Sequence, residues 1–377
     1  MKILLAITEL GAGGAEKIVA VLAREYIRLG HSVTVLSLQG PPDEPAIPEM
    51  IRAAGASIRY LGLRKFQPGM IRKLRDAALS EAPDIVHSHL IHPNLLLRFA
   101  LRKTGIPLIN TIHISERRRG KKLFFLLDRL TFHMADASTA VSDASARFHE
   151  RACGLPEGVI RTIRNGSDPV IPAPEEERKA FSADWRLDDY DAVLGSIGRL
   201  DFQKGYDLLL DRCGALAERI PQGEKWLLLI LGDGPEREKL KAKAETLKYP
   251  GLHVRFAGFR KDAASLMTCF RVFLMPSRYE GYGLALAEAM SLGLPVVCSD
   301  ADSLPELCAG YRGFSRLIRM DDDPRGTLLA EAVSEALRAP RVPGQTLVTN
   351  GEMARNYLSL YEEILGKRRD QRFFGAE

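Results

Sequence analysis

The chain has 377 residues, too many for one ordinary hydrophobic core and suited to two domains. Hydrophobic residues at 46% and charged residues at 27% exclude extensive disorder. Five cysteines, odd in number and without a CxxC pair, exclude a disulfide framework or a zinc knuckle and point to a reducing compartment.

The net charge of +5 divides into +8 over residues 1–170 and −3 over the remainder, so the first half is expected to meet any anionic partner. The opening run, Met1 to Thr8, is too short for a signal peptide and leads into a glycine loop, so it reads as a buried strand, Ile3–Thr8. Further strands are expected at Val33–Leu38, Ile85–Ser88, Leu108–His113 and Ala137–Val141. After a break they resume at Val193–Ile197, Leu227–Leu231, Val254–Ala257, Val272–Met275 and Val296–Ser299. Helical patterns separate these runs, and such alternation predicts parallel sheets covered by helices on both faces. The break falls near Asp168–Glu177, where Pro169, Pro172 and Pro174 precede an acidic run. The expected fold is α/β, two doubly wound Rossmann-like domains at about 1–168 and 172–350. A last helix, about 352–377, has the option of packing back on the first. No stretch approaches the ~20 apolar residues of a membrane span, so a cytoplasmic protein, peripheral at most, is expected.

Three loops carry candidate chemistry. Gly11-Ala12-Gly13-Gly14-Ala15-Glu16 joins a strand to a helix, and its glycines let backbone amides approach an anion at the helix N-terminus. As a dinucleotide fingerprint it fails: Glu16 takes the third glycine's place, and Ser37-Leu38-Gln39 lacks an acid for a ribose. A tight turn without a ligand is the plain alternative. Gly198 to Gly205 (GRLDFQKG) follows the first strand of the second domain, so Arg199 and Lys204 suit a diphosphate, one as a fork and one as a point charge. Two solvated surface charges are the alternative. Glu280 to Glu288 (EGYGLALAE) places Glu280 before a helix over Leu284–Leu292 and Glu288 about two turns into it. Amides of Gly281, Tyr282, Gly283 and Leu284 are then open to phosphate or sugar oxygens, and a carboxylate clamps vicinal hydroxyls.

In order along the chain, GAGGAE (11–16), GRLDFQKGYDLL (198–209), LGDGPE (231–236), FAGF (256–259) and EGYGLALAEAMSLGLPVV (280–297) resemble the retaining GT-B glycosyltransferases, most of all glycosyltransferase family 4. Asp84–His89, Thr111–His113 and Val141-Ser142 resemble the same family's first domain. The resemblance covers nearly the whole chain. It implies two facing domains with an interdomain cleft, the first for the acceptor and the second for a nucleotide sugar. Arg199 and Lys204 match the pair that neutralises the donor diphosphate, Glu288 the ribose ligand and Glu280 the residue at the donor sugar. Gly13 and Gly14 match the loop that approaches the donor, and His113 a histidine near the transferred sugar. The main chain at Arg260 matches the position that meets the base, and Asn165 belongs to the family's NG turn. One departure stands out: Asp302-Ser303 replace the usual Gly-Gly before Pro305-Glu306.

The implied activity is transfer of a hexosyl or N-acetylhexosaminyl group from a UDP- or GDP-sugar to a carbohydrate or lipid-linked acceptor in cell-surface glycan synthesis. Neither a cofactor nor a metal is expected. Asp300-Ala301-Asp302 and Asp321-Asp322-Asp323 mimic a Mg²⁺ motif but read better as turn acids. His87, His89 and His92 lack an evident carboxylate partner for a metal. Arg117 to Lys122 (RRRGKK) precedes the apolar Leu123–Leu127, and the tail Lys367–Phe374 repeats the combination. That pairing suits an anionic membrane surface, the alternative being a solvated loop before a core helix. Nucleic acid is not expected, since no aromatics interleave the basic cluster. The rival readings are a UDP-sugar 2-epimerase on the same fold and a non-catalytic sugar or nucleic-acid binder.

Overall fold

The computed structural model describes residues 1–64, 67–114, 117 and 122–374. The chain divides into two compact units, Met1–Gly166 with Val348–Glu377, and Ser167–Leu347. Among the described residues, each unit holds one parallel sheet.

In the first unit the sheet comprises β1 (Lys2–Ile7), β2 (Ser32–Ser37), β3 (Ser57–Tyr60), β4 (Ile85–His89), β5 (Leu108–Ile112), β6 (Ala137–Ala140) and β7 (Arg161–Thr162), in the order β3-β2-β1-β4-β5-β6-β7. In the second it comprises β8 (Ala192–Ile197), β9 (Trp226–Leu231), β10 (Leu252–Gly258), β11 (Val272–Met275), β12 (Val296–Ser299) and β13 (Ser315–Ile318), in the order β10-β9-β8-β11-β12-β13. Central strands such as β1 and β9 are apolar on both faces because helices cover both. All six residues of β9, WLLLIL, are buried, and each such leucine contributes about 2 kcal/mol of burial. Packing is tight: a Cβ added at Gly195 of β8 would overlap the Phe270 ring, so alanine there would force the layers apart.

Ten strands were expected, and the three others, β3, β7 and β13, are all edge strands. Being paired on one side, they carry exposed polar residues and lack a continuous apolar run; β7 is two residues long. The acidic run is not linker. Glu175, Glu176 and Glu177 form the first turn of the helix Glu175–Trp185, where carboxylates complement the helix dipole. The last helix, Asn350–Phe374, belongs to the first unit, where it packs on the helix Gly14–Arg28 through the buried Tyr26–Tyr361 hydroxyl pair, 2.9 Å apart.

Candidate functional site

In an open parallel sheet, ligands bind beyond the carboxyl ends of the strands where the strand order reverses. In the second sheet that point lies between β8 and β11, and the loops that follow these two strands are the ones carrying Arg199, Lys204 and Glu280.

Close backbone approaches fix these loops against each other. Leu200 donates its amide to the Asp233 carbonyl at 2.9 Å, and Glu236 returns one to the Leu200 carbonyl at 2.9 Å. A Cβ at Gly234 would meet the Leu200 amide nitrogen at 2.7 Å. Gly205, at φ 66°, lies against the Pro276 carbonyl, where any side chain would collide. On the other flank Arg278 donates its amide to Gln203, and the Gln203 side chain donates to the Tyr279 carbonyl at 3.1 Å. The Arg278 guanidinium forks onto Asp207 at 2.7 and 2.6 Å and lies 4.2 Å from the Phe202 ring centroid. Burial alone would push the Asp207 carboxyl up; the Arg278 fork overrides it and holds it below the usual range.

This frame brings Lys204 and Glu280 together. The Lys204 ammonium stands 2.5 Å from Glu280 Oε1, and the two side chains keep only 19% and 6% of their surface exposed. Ser277 Oγ donates to the same carboxylate oxygen at 2.7 Å, and the Glu280 amide donates to Asp302 Oδ2 at 3.0 Å. Arg199, in contrast, extends into solvent, 63% exposed, with Asp201 at 3.9 Å. Asp201 caps the turn at Phe202–Lys204 by accepting the Lys204 amide. Gly281, Tyr282 and Gly283 lead into the helix Leu284–Ser291, and Gly283 stands at φ 95°, a backbone that glycine adopts without strain. Glu288 sits one turn into that helix, not two, and is buried. Arg260, just past β10, is forked onto Asp262 at 2.9 and 2.7 Å over the Phe181 ring.

The first unit places its residues differently. Gly13 caps the helix Gly14–Arg28, and the Glu16 carboxylate folds back over it, so a Cβ at Gly13 would overlap that carboxylate. Glu16 thus stands in the first turn of that helix, where a carboxylate complements the helix dipole, besides spoiling a dinucleotide fingerprint. His113 follows β5, and its Nε2 lies 2.8 Å from His89 Nδ1. His89 is fully buried, and its Nε2 has no hydrogen-bond partner. Beside it, His87 bonds Tyr361 and Thr111, each at 2.6 Å. Desolvation pushes all three imidazoles down, His113 to about 3, so they are neutral near pH 7. Asn165 is buried, with an unpartnered side-chain oxygen.

The acids that mimic a metal motif have other partners. Asp300 binds Arg319 at 3.0 Å, and Asp323 accepts the amides of Leu328 and Leu329. His92 packs edge-on against Phe124. Among the described residues, one trio has metal-ligand spacing that the sequence did not suggest, Asp128, His149 and Cys153. Arg98 already occupies Asp128, and burial pushes the Cys153 thiol up to about 12. Arg118, Arg119, Gly120 and Lys121 of the basic cluster lie outside the described residues; Arg117 lies over the Phe148 ring. In the tail, Lys367 pairs with Glu363 at 2.8 Å and Arg368 with Asp136 at 2.6 Å.

Two parallel-sheet units, the second presenting a lysine–glutamate pair where its strand order reverses, follow the plan of the GT-B glycosyltransferases. Residues 12–170 match the profile of Glycosyltransferase Family 4, and residues 191–339 that of Glycosyl transferases group 1. The chain belongs to glycosyltransferase family 4. It is 30% identical over 321 residues to the phosphatidyl-myo-inositol mannosyltransferase of Mycolicibacterium smegmatis, covering 82% of this chain and 78% of that protein. It is 29% identical over 245 residues to the lipopolysaccharide core biosynthesis mannosyltransferase LpsB of Rhizobium meliloti, covering 64% and 65%. Among solved structures, Anabaena HepE in complex with UDP and glucose superposes with a TM-score of 0.75 at 21% identity, covering 98% of both chains.

Proposed function

We propose that this glycosyltransferase moves a hexosyl or N-acetylhexosaminyl group from a UDP- or GDP-sugar to a glycan or lipid-linked acceptor, retaining the α configuration without a metal. The observation that carries the reading is the Lys204–Glu280 pair, held beside the Arg199 loop where the second sheet reverses its order. The barrier is charge separation, as the bond between the anomeric carbon and the diphosphate oxygen breaks. An ammonium has three donors, so Lys204 keeps Glu280 and still reaches a phosphate oxygen. Arg199 reaches in from solvent, and the amides of Gly281 to Leu284 complete the stabilisation of the departing diphosphate. On a front-face path the acceptor oxygen bonds to the anomeric carbon, and its proton passes to the leaving phosphate. Glu280 then orients the donor sugar and Glu288 takes the ribose hydroxyls, while the main chain at Arg260 meets the base.

The first unit takes the acceptor in this reading. Neutral His113 serves as a hydrogen-bond partner for a sugar hydroxyl rather than as a charge. Gly13 and Gly14 admit a close ligand approach, and the unpartnered Asn165 oxygen accepts from a bound hydroxyl. The test is a panel of UDP- and GDP-sugars offered with glycan and lipid-linked acceptors, the product's anomeric configuration being read by proton NMR. An α product supports the reading. A β product ends the claim of retention, and an epimerised donor formed without acceptor returns the 2-epimerase.

A second observation concerns location. Leu123, Leu126, Leu127 and Leu130 form one stripe on the helix Lys122–Thr131, and that stripe faces outward; Leu123 is 63% exposed and Leu130 60%. Phe99, on the adjoining helix Ile91–Ala100, is exposed as well. With Arg117 to Lys122 at its start, the stripe fits a peripheral anionic bilayer, each basic residue contributing about 1 kcal/mol at low salt. Among the described residues no helix is long and apolar enough to cross a membrane. Co-sedimentation with phosphatidylglycerol vesicles that fails when the five basic residues become serine supports this docking; equal sedimentation of both proteins removes it.

A further inference from the structure

We infer that Asp302 is a positioning residue that holds the Glu280 loop in place, an inference resting on the reading of that loop as the donor-sugar contact. Asp302 follows β12 and precedes the short helix Leu304–Gly310. Its backbone stands at φ 44°, in the left-handed region that glycine enters freely and other residues avoid. The position is therefore suited to glycine, yet it carries a carboxylate, and that carboxylate accepts the Glu280 amide at 3.0 Å. No glycine offers this contact.

Glu280 is thereby held at two places by different parts of the fold. Lys204 and Ser277 fix its carboxylate, and Asp302 fixes its backbone. The residues that follow, Gly281-Tyr282-Gly283, include two glycines and lend the loop little stiffness of their own. Glu280 is almost wholly buried, so its amide loses its protein acceptor if the Asp302 side chain is removed. Asp302 acts through Glu280, and the hydrogen bond requires an oxygen rather than a charge.

That distinction sets the test. Asparagine tolerates left-handed backbone and offers a side-chain oxygen, whereas glycine relieves the backbone and offers none. Asp302→Asn is expected to keep near wild-type turnover. Asp302→Gly is expected to lower kcat about 10-fold, the order of one lost oriented hydrogen bond, with a Tm no lower than wild type. Hydrogen exchange at the Glu280 amide reads the contact directly: protection persists in the asparagine variant and falls in the glycine variant. Turnover is followed as nucleoside diphosphate release from the best substrate in a panel of UDP- and GDP-sugars, with Glu280→Ala alongside. Unchanged Glu280 protection in Asp302→Gly would overturn the inference. So would wild-type kcat in Asp302→Gly while Glu280→Ala is impaired. Full turnover in Glu280→Ala would instead remove the donor-site reading, and this inference with it.

Discussion

Acidification is expected to unfold the first unit before the second. His87 and His89 are fully buried and His113 is partly so; desolvation lowers all three, while in the unfolded chain each titrates near its ordinary value of about 6.5. Below that value the unfolded state binds protons that the folded state refuses. The stability is therefore fully present above about pH 6.5 and is lost as pH falls toward the folded values. From pH 7.5 to 5.5 one such histidine costs about 1.4 kcal/mol. Two fully buried rings give about 3 kcal/mol, and His113, reached in part by water, adds less than a full share. On a domain of this size, 3 kcal/mol lowers Tm by roughly 6–12 °C. The assay follows from the placement of both tryptophans, Trp185 and Trp226, in the second unit. Far-UV circular dichroism reports both units and tryptophan fluorescence mainly the second, so at pH 5.5 an early dichroism transition is expected that fluorescence does not follow. His89→Gln should flatten the pH slope by one histidine's share. An early phase that ignores pH, or that appears equally in fluorescence, would refute the reasoning.

Lys204→Met leaves the buried Glu280 carboxylate without its counter-ion and should destabilise the second unit by about 2–3 kcal/mol. Adding Glu280→Gln should recover most of that loss, and additive effects in urea unfolding followed by fluorescence would contradict the coupling. Glu288→Ala should weaken binding of free UDP or GDP by about 1–3 kcal/mol, measured by titration calorimetry; an unchanged Kd ends its ribose role. Turnover should survive EDTA, whereas a loss restored by Mg²⁺ or Mn²⁺ would return Asp300 and Asp302 as ligands.

The architecture was legible where burial on both faces writes a continuous apolar run, as in Leu227–Leu231 or Val272–Met275. It was illegible at three of the four sheet edges, as at Ser57–Tyr60 and Ser315–Ile318, which carry half-exposed, polar sequences. In the candidate site, the loops announced themselves through glycines and charges, but their partners did not. Lys204 and Glu280 lie 76 residues apart, and no spacing rule says which lysine meets which glutamate. Likewise, Tyr361 reaches His87 across 274 residues, from a helix whose docking the sequence left open. Asp302 was visible as a departure from Gly-Gly, yet its meaning depends on a backbone angle and on the amide it accepts. The stripe from Leu123 to Leu130 suited a core helix or a membrane face equally, and its exposure removes only the core helix.

In the proposed reaction the second unit activates a nucleotide sugar through Arg199 and Lys204. The most direct measurement is nucleoside diphosphate release from UDP- and GDP-sugars by wild type, Arg199→Ala and Lys204→Ala, with folding checked by fluorescence. Wild type is expected to consume at least one donor, and each variant to fall by about 10²-fold, the scale of one lost charge stabiliser. Wild-type rates in both folded variants, or no release from any donor by wild type, would contradict the proposal.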